Sequence, residues 1–211
     1  MTLEQDRMDN PYGMDPDCTN CAALSETRQS IVHGYGDVSA DFMFVAEAPT
    51  AAADEAGHPL ASTECEYSLR SLLAKAGFLG NRTDSDNQPV IDNAFVTYLT
   101  RCRHPDRSPT AEEIANCDPF LNAELRTINP DILIPLGKRA LSVIARDFST
   151  MNPDELAISE VHGNELRGRG FEILPLIEPA TMTKQEFDEA VKAIARTLGR
   201  DYRQTKGRRK R

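Results

Sequence analysis

Four cysteines restrict this chain more than any other feature of it. Cys18 and Cys21 form a C-x2-C pair near the amino end, and Cys102 and Cys117 lie far downstream with fourteen residues between them. Two thiols from one turn and two from distant positions are what a soft, tetrahedral site requires, either an iron–sulfur cluster or zinc. Buried or disulfide-bonded cysteines are the alternative. Five cysteines leave Cys65 odd, and the chain reads as cytosolic, where disulfides are rare and thiols stay available to metal. Cys65 itself opens a helix and reads most simply as a small buried hydrophobe.

The compartment is inferred from two observations. No stretch approaches the apolar length that spans a bilayer, and Met1 to Asp17 is polar and acidic, with neither a basic start nor an apolar run. A cytoplasmic, monomeric protein without membrane contact is therefore expected. The 211 residues suffice for one substantial domain, and 40% hydrophobic content suits a packed core. Residues 1–17, interrupted by Pro11, Gly13 and Pro16, read as a disordered segment, 18–199 as the domain and 200–211 as a basic tail. That tail (RDYRQTKGRRKR) carries seven basic residues and one acid, so it holds +6 of a net charge of −9 and leaves −15 on the remaining 199 residues. It is either a solvated end or a loose arm that contacts phosphate. An acidic body hinders contact with polyanions at ordinary salt and less so where salt screens it, so a halophilic source is expected.

The periodicity alternates strand with helix. Asp41–Ala46, Asn93–Thr100, Pro130–Leu136 and Phe171–Leu176 read as strands, short apolar runs bounded by turn residues. Helices are expected around Ala22–Arg28, from Leu69 to Gly77, from Thr110 (a capping box with Glu113) through Cys117 to Leu125, from Gly137 through Ile144, and through Phe187, Val191 and Leu198. His33–Asp37 reads as a turn, Ala51–Ser62 as a loop, Arg82–Asp92 as polar and mobile, and Thr150–Asn164 as irregular. Four alternations argue a parallel sheet covered by helices on both faces. In such sheets ligands bind beyond the carboxyl ends of the strands, which is where Glu47-Ala48-Pro49 and Glu178-Pro179 fall.

With these residues in place, the chain resembles the iron–sulfur uracil-DNA glycosylases. The resemblance rests on the C-x2-C pair with Arg28, His33-Gly34, Asp41–Pro49, and Asp54-Glu55-Ala56-Gly57-His58-Pro59. It continues through Arg101-Cys102-Arg103, Arg107–Thr110, Glu113 through Cys117 to Leu121, Asn129–Gly137 and His162-Gly163. It implies a three-layer α/β/α sandwich with a central four-stranded parallel sheet. A [4Fe-4S] cluster on Cys18, Cys21, Cys102 and Cys117 is implied with it, and DNA as partner. Zinc on the same four thiols is the alternative, although zinc sites gather their ligands in two close knuckles and Cys102 and Cys117 do not form one.

The implied reaction is hydrolysis of the N-glycosidic bond of uracil or another deaminated or damaged base. The implied pocket departs from the family pattern. Ala46-Glu47-Ala48-Pro49-Thr50 keeps the carboxylate and loses two glycines; Leu60 replaces the stacking ring; Tyr98 replaces an asparagine that bonds the base; and Glu178 replaces a histidine. Glu47 and Glu178 are thus the candidate catalytic residues, with Ala46, Ala48, Pro49, Leu60 and Tyr98 around the base. Glu178 would repel a departing uracil anion unless it held a proton, and burial beside Glu47 is one way to keep that proton. An ionised Glu178 would suit a base with an N–H donor, such as adenine, hypoxanthine or a cytosine derivative. Met182 lies where a wedge residue could enter, or packs the start of a helix. Two other readings are a DNA-binding iron–sulfur module that is inactive or altered in substrate, and a zinc-binding structural or interaction protein.

Overall fold

The computed structural model describes residues 14–61, 66–84 and 88–200. Eight strands form: β1 (Tyr35–Gly36), β2 (Phe42–Ala46), β3 (Leu79–Thr83), β4 (Pro89–Ile91), β5 (Ala94–Tyr98), β6 (Ile132–Pro135), β7 (Leu166–Arg167) and β8 (Glu172–Ile173). Six of them make one sheet in the order β1-β5-β2-β6-β8-β7. The middle four run parallel, while β1 and β7 pair antiparallel at the two edges. The sheet therefore has six strands where four were expected. Both additional strands are two residues long, too short to leave a period in the sequence. Every residue of β2, β5 and β6 is buried, as strands covered on both faces must be, which is why each reads as a continuous apolar run.

Alternate side chains of β2 feed two cores. Phe42, Phe44 and Ala46 join Ala53 of α2 (Ala51–Ala56), Leu72 and Leu73 of α3 (Leu69–Lys75) and Phe187 and Ile194 of α7 (Lys184–Leu198). Met43 and Val45 join Ile114, Leu121 and Leu125 of α4 (Ala111–Ile128) and Ala140, Val143 and Ile144 of α5 (Gly137–Phe148). Helices thus cover both faces. A six-residue α1 (Ala22–Thr27) and a four-residue α6 (Ile158–Val161) complete the set.

Four segments differ from their sequence reading. The stretch after Thr50 is not a loop from Ala51: the Thr50 hydroxyl accepts from Ala53 N at 3.1 Å, AAADEA makes α2, and Gly57 at φ 70° ends it. Four alanines in six residues are enough for one short helix once a cap is present. Asp54 in that helix is buried and accepts from the amides of Gln29 and Ser30, tying the amino-terminal segment to it. The polar stretch after Arg82 contributes to the β3–β4 hairpin, with Leu79 opposite Ile91 and Thr83 opposite Pro89. The turn at His33–Asp37 contains β1. Gly36 there lies at φ 135°, and a β-carbon would collide with the Ala94 carbonyl, so that edge requires glycine. The irregular stretch 150–164 holds a 3-10 turn and α6. Cys65, most of the expected amino-terminal segment (1–13) and residues 201–211 of the tail lie outside the described residues.

Candidate active site

The parallel strands put their carboxyl ends along one rim of the sheet. The ladder continues just past them: Leu99 N donates to Ala46 O at 2.8 Å, Leu136 N to Val45 O at 2.9 Å, and Gly137 N to Leu176 O at 2.8 Å. This carries Glu47, Tyr98, Gly137 and Glu178 to the same rim. Two hollows open there. One is largely enclosed, about 150 Å³, and walled by Ala46, Ala48, Pro59, Leu60, Tyr98 and Glu178. The other is an open cleft of about 330 Å³ bordered by Glu47, Pro49, Arg103, His104 and Arg107. Ala48 and Glu178 line both. The enclosed hollow is roughly the size that takes one benzene-like ring.

Glu178 is strongly altered by this setting. Burial, then the charge of Glu47, pushes its carboxyl up to about 7. Glu47 Oε1 is buried and makes no hydrogen bond. Tyr98 is buried; its hydroxyl reaches the Pro59 carbonyl at 3.4 Å, and burial followed by the charge of Glu178 pushes the phenol upward. The Glu178 carbonyl accepts from both the amide and the hydroxyl of Thr181 at 2.9 Å. The preceding amide, of Ile177, donates to His162 Nδ1 at 3.1 Å. Gly137, at φ 83°, faces Glu178: a β-carbon on it would lie 3.7 Å from Glu178 Oε2. In the cleft, Arg107 makes two 2.8 Å bonds to Glu113 and Arg139 holds the Pro109 carbonyl at 2.7 Å, pinning the basic loop onto α4 and α5.

The four cysteines come from the start of α1, the segment after β5 and the second turn of α4. Cys102 and Cys117 are buried; Cys18 and Cys21 are half-buried, and none is in a disulfide. Arg28 Nη1 donates to Cys102 Sγ at 3.3 Å and Asn116 Nδ2 to Cys21 Sγ at 3.5 Å. Burial pushes the Cys102 thiol up and Cys117 to about 11; the other thiols add to it, Cys18 and Cys21 for Cys102, Cys102 and Cys21 for Cys117. The four therefore share one neighbourhood, and N–H donors aimed at sulfur are the surroundings that metal-bound thiolates take. In donor type the set fits a soft metal centre. Among the described residues, no three His, Cys, Asp or Glu side chains are arranged as the cage of a single ion.

All seven pocket candidates line the two hollows. Several neighbours escaped the sequence reading. Tyr67, Ser68 and Arg70 close the enclosed hollow from the α3 side, and nothing in the sequence placed that segment opposite Tyr98. Arg103, His104 and Arg107 were legible as a cationic run just beyond a strand end. His104 lines the cleft, and the His58 ring meets Tyr35 edge-on at 4.4 Å while its Nδ1 accepts from Leu60 N at 3.1 Å. Met182 is buried in the core beside Phe187, the packing role and not the wedge.

A mostly parallel α/β sheet with a ring-sized hollow and two carboxylates at its carboxyl rim fits the family to which comparison assigns the sequence. Residues 33–199 match the model of the Uracil DNA glycosylase superfamily, and the chain belongs to that superfamily. It is 28% identical over 174 residues to a Type-4 uracil-DNA glycosylase of Thermotoga maritima, covering 82% of this chain and 81% of the relative. It is 28% identical over 193 residues to one from Archaeoglobus fulgidus, covering 87% and 89%. A Type-5 uracil-DNA glycosylase of Pyrobaculum aerophilum is 24% identical over 170 residues, 79% and 73% of the two chains.

Proposed function

We propose that this protein hydrolyses the N-glycosidic bond of uracil or another deaminated base in DNA. The observation that carries the reading is Glu178 on the wall shared by the ring-sized hollow and the cleft, with Glu47 in the cleft and the Glu178 carboxyl pushed up to about 7. The nucleotide must leave the base stack to react. Its base would enter the enclosed hollow between Ala46, Pro59 and Leu60, beside Tyr98, and its backbone would follow the cleft past Arg103 and Arg107. Protonated Glu178 then donates to a base oxygen as the C1′–N bond breaks and the electron pair moves onto the base. A donor aimed at developing charge is often the largest contribution to such a step. Glu47, in the cleft, holds the water that adds to C1′ and accepts its proton. The carboxyl thus replaces the family's histidine without repelling the departing anion.

The test uses oligonucleotides bearing uracil, hypoxanthine or other lesions, read as strand cleavage at abasic sites. Glu47→Ala and Glu178→Ala should each lose excision by about 100-fold or more. Full excision by Glu178→Ala at every pH would overturn the assignment. Binding without excision of any base would identify the chain as an inactive or altered-substrate DNA-binding module, a reading that the changes at Leu60, Tyr98 and Glu178 keep open.

We further propose that Cys18, Cys21, Cys102 and Cys117 hold a [4Fe-4S] cluster. The buried thiols, the N–H donors to sulfur and the absence of a zinc-type knuckle at Cys102 and Cys117 support it over zinc. The cluster would act as a staple joining α1, the strand end and α4. Protein purified without oxygen should be brown, whereas a colourless protein carrying stoichiometric zinc would reverse this assignment.

A further inference from the structure

The loop that carries Glu178 is held from behind by a histidine. His162 lies at the end of α6, outside both hollows. Its Nδ1 accepts from the Ile177 amide at 3.1 Å and its Nε2 lies 2.9 Å from the Glu186 carbonyl in the first turn of α7. An amide can only donate and a carbonyl can only accept, so the ring carries its proton on Nε2 and a lone pair on Nδ1. The chain around it is fixed on both sides. Gly163 N donates to Pro175 O at 2.9 Å, Gly137 N to Leu176 O at 2.8 Å, and Thr181 N to Glu178 O at 2.9 Å. The Ile177 amide belongs to the peptide group one before the one that enters Glu178, and that amide ends on an imidazole.

We infer that His162 is a positioning residue for Glu178. The Nδ1 lone pair fixes the residue before Glu178 and so aims the carboxyl at the boundary of the two hollows, while the Nε2–H bond anchors the ring to α7. This rests on the reading of Glu178 as the acid. A misplacement of about 1 Å at a reacting group costs on the order of 100-fold, so losing the Nδ1 bond should appear in turnover and not in affinity.

The two ring bonds can be separated. In His162→Asn the amide oxygen lies near the place of Nδ1 and still accepts from Ile177 N. In His162→Gln the amide nitrogen reaches toward the place of Nε2, keeps the Glu186 bond and leaves Ile177 N without its acceptor. With full-length protein and a uracil oligonucleotide, His162→Asn should keep kcat within a few-fold and keep the alkaline fall near pH 7. His162→Gln should lose kcat by roughly 10- to 100-fold, with KM little changed and Tm close to that of His162→Asn. Equal kcat in the two variants, or losses that simply follow Tm, would overturn the inference. Glu178→Ala distinguishes the levels: if it excises at the wild-type rate, the acid assignment and this inference both fall. If it is inactive while His162→Gln is unaffected, this inference falls alone. Should either His162 variant not fold, long-range proton–nitrogen correlation on the wild type reads the tautomer directly. A proton on Nε2 with bare Nδ1 agrees; a proton on Nδ1 overturns it.

Discussion

Glu178 works, on this reading, because it keeps a proton that an ordinary glutamate has lost. With its carboxyl at about 7, the donor form is abundant below that pH and disappears above it. Excision should therefore fall by about tenfold per pH unit above 7, measured as kcat/KM across pH 5.5 to 9. Glu178→Gln, which retains an N–H donor, should lose this alkaline fall while keeping more activity than Glu178→Ala. The same shift acts on stability. A carboxyl raised above its unfolded value of 4.5 contributes stability that is present below 4.5 and is lost as pH rises through about 7. Glu113 has the opposite sign: Arg107 holds it down to about 2, so its contribution is present above 4.5 and lost as pH falls toward 2. Thermal scans at pH 5 and 7.5 should show a smaller decline for Glu178→Gln than for the wild type. Strand-end logic was enough to single out Glu47 from the sequence, and the family resemblance added Glu178. It could not show that one carboxyl would line both hollows, because burial depends on Tyr98, Pro59 and Gly137, which come from three other parts of the chain.

Helix α4 joins the rim to the thiols. Its first turn is a capping box: Thr110 Oγ1 accepts from Glu113 N at 3.2 Å and Glu113 Oε2 from Thr110 N at 2.7 Å. Its middle carries Cys117, and farther along Glu124 forms a buried ion pair with Arg101 at 2.7 Å. The box was legible from Thr110 and Glu113 alone, since both partners lie within one turn. The Arg101–Glu124 pair was not, because it spans two layers of the fold. Breaking a buried pair leaves the remaining charge uncompensated, so Glu124→Gln should destabilise by about 3–5 kcal/mol in urea or thermal unfolding. Thr110→Ala, losing only a cap, should cost about 1 kcal/mol. Gly34 lies against the same glutamate, and a β-carbon there would crowd Glu124 Oε1 and Phe95. Gly34→Ala should therefore also lower stability. The elements missed in the sequence, α2 and the β3–β4 hairpin, are short and either Ala-rich or polar; what holds them is capping and tertiary contact, which periodicity does not report.

On the scale of the whole molecule, two features lie away from the carboxyl rim of the sheet. The described body ends at Arg200, whose guanidinium bonds Glu165 at 3.0 Å and Glu172 at 2.6 Å beside β7 and β8. Glu172 opens β8 at the amino end of that strand, so the basic stretch starts on the far side of the sheet from Glu178. The charge of −15 on residues 1–199 leads to an expectation about salt: Tm should rise from low to molar KCl as self-repulsion is screened. A maximum at low salt would argue against a halophilic source. The thiol centre gives the other expectation. If the centre holds the proposed cluster, stripping it, or Cys102→Ser, should lower Tm by several degrees and loosen α1, read as faster proteolysis ahead of Arg28.

Arg101 stands immediately before Cys102 and donates to the Tyr98 carbonyl at 2.6 Å while pairing with Glu124. Five consecutive buried residues, Tyr98 to Cys102, thus run from the wall of the enclosed hollow to one of the four thiols. An oxidant that dislodges Cys102 would disarm the hollow in the same event. On the proposed assignment such a chain has a built-in fuse: losing the cluster would stop excision, and partly damaged copies would not go on leaving gaps in DNA.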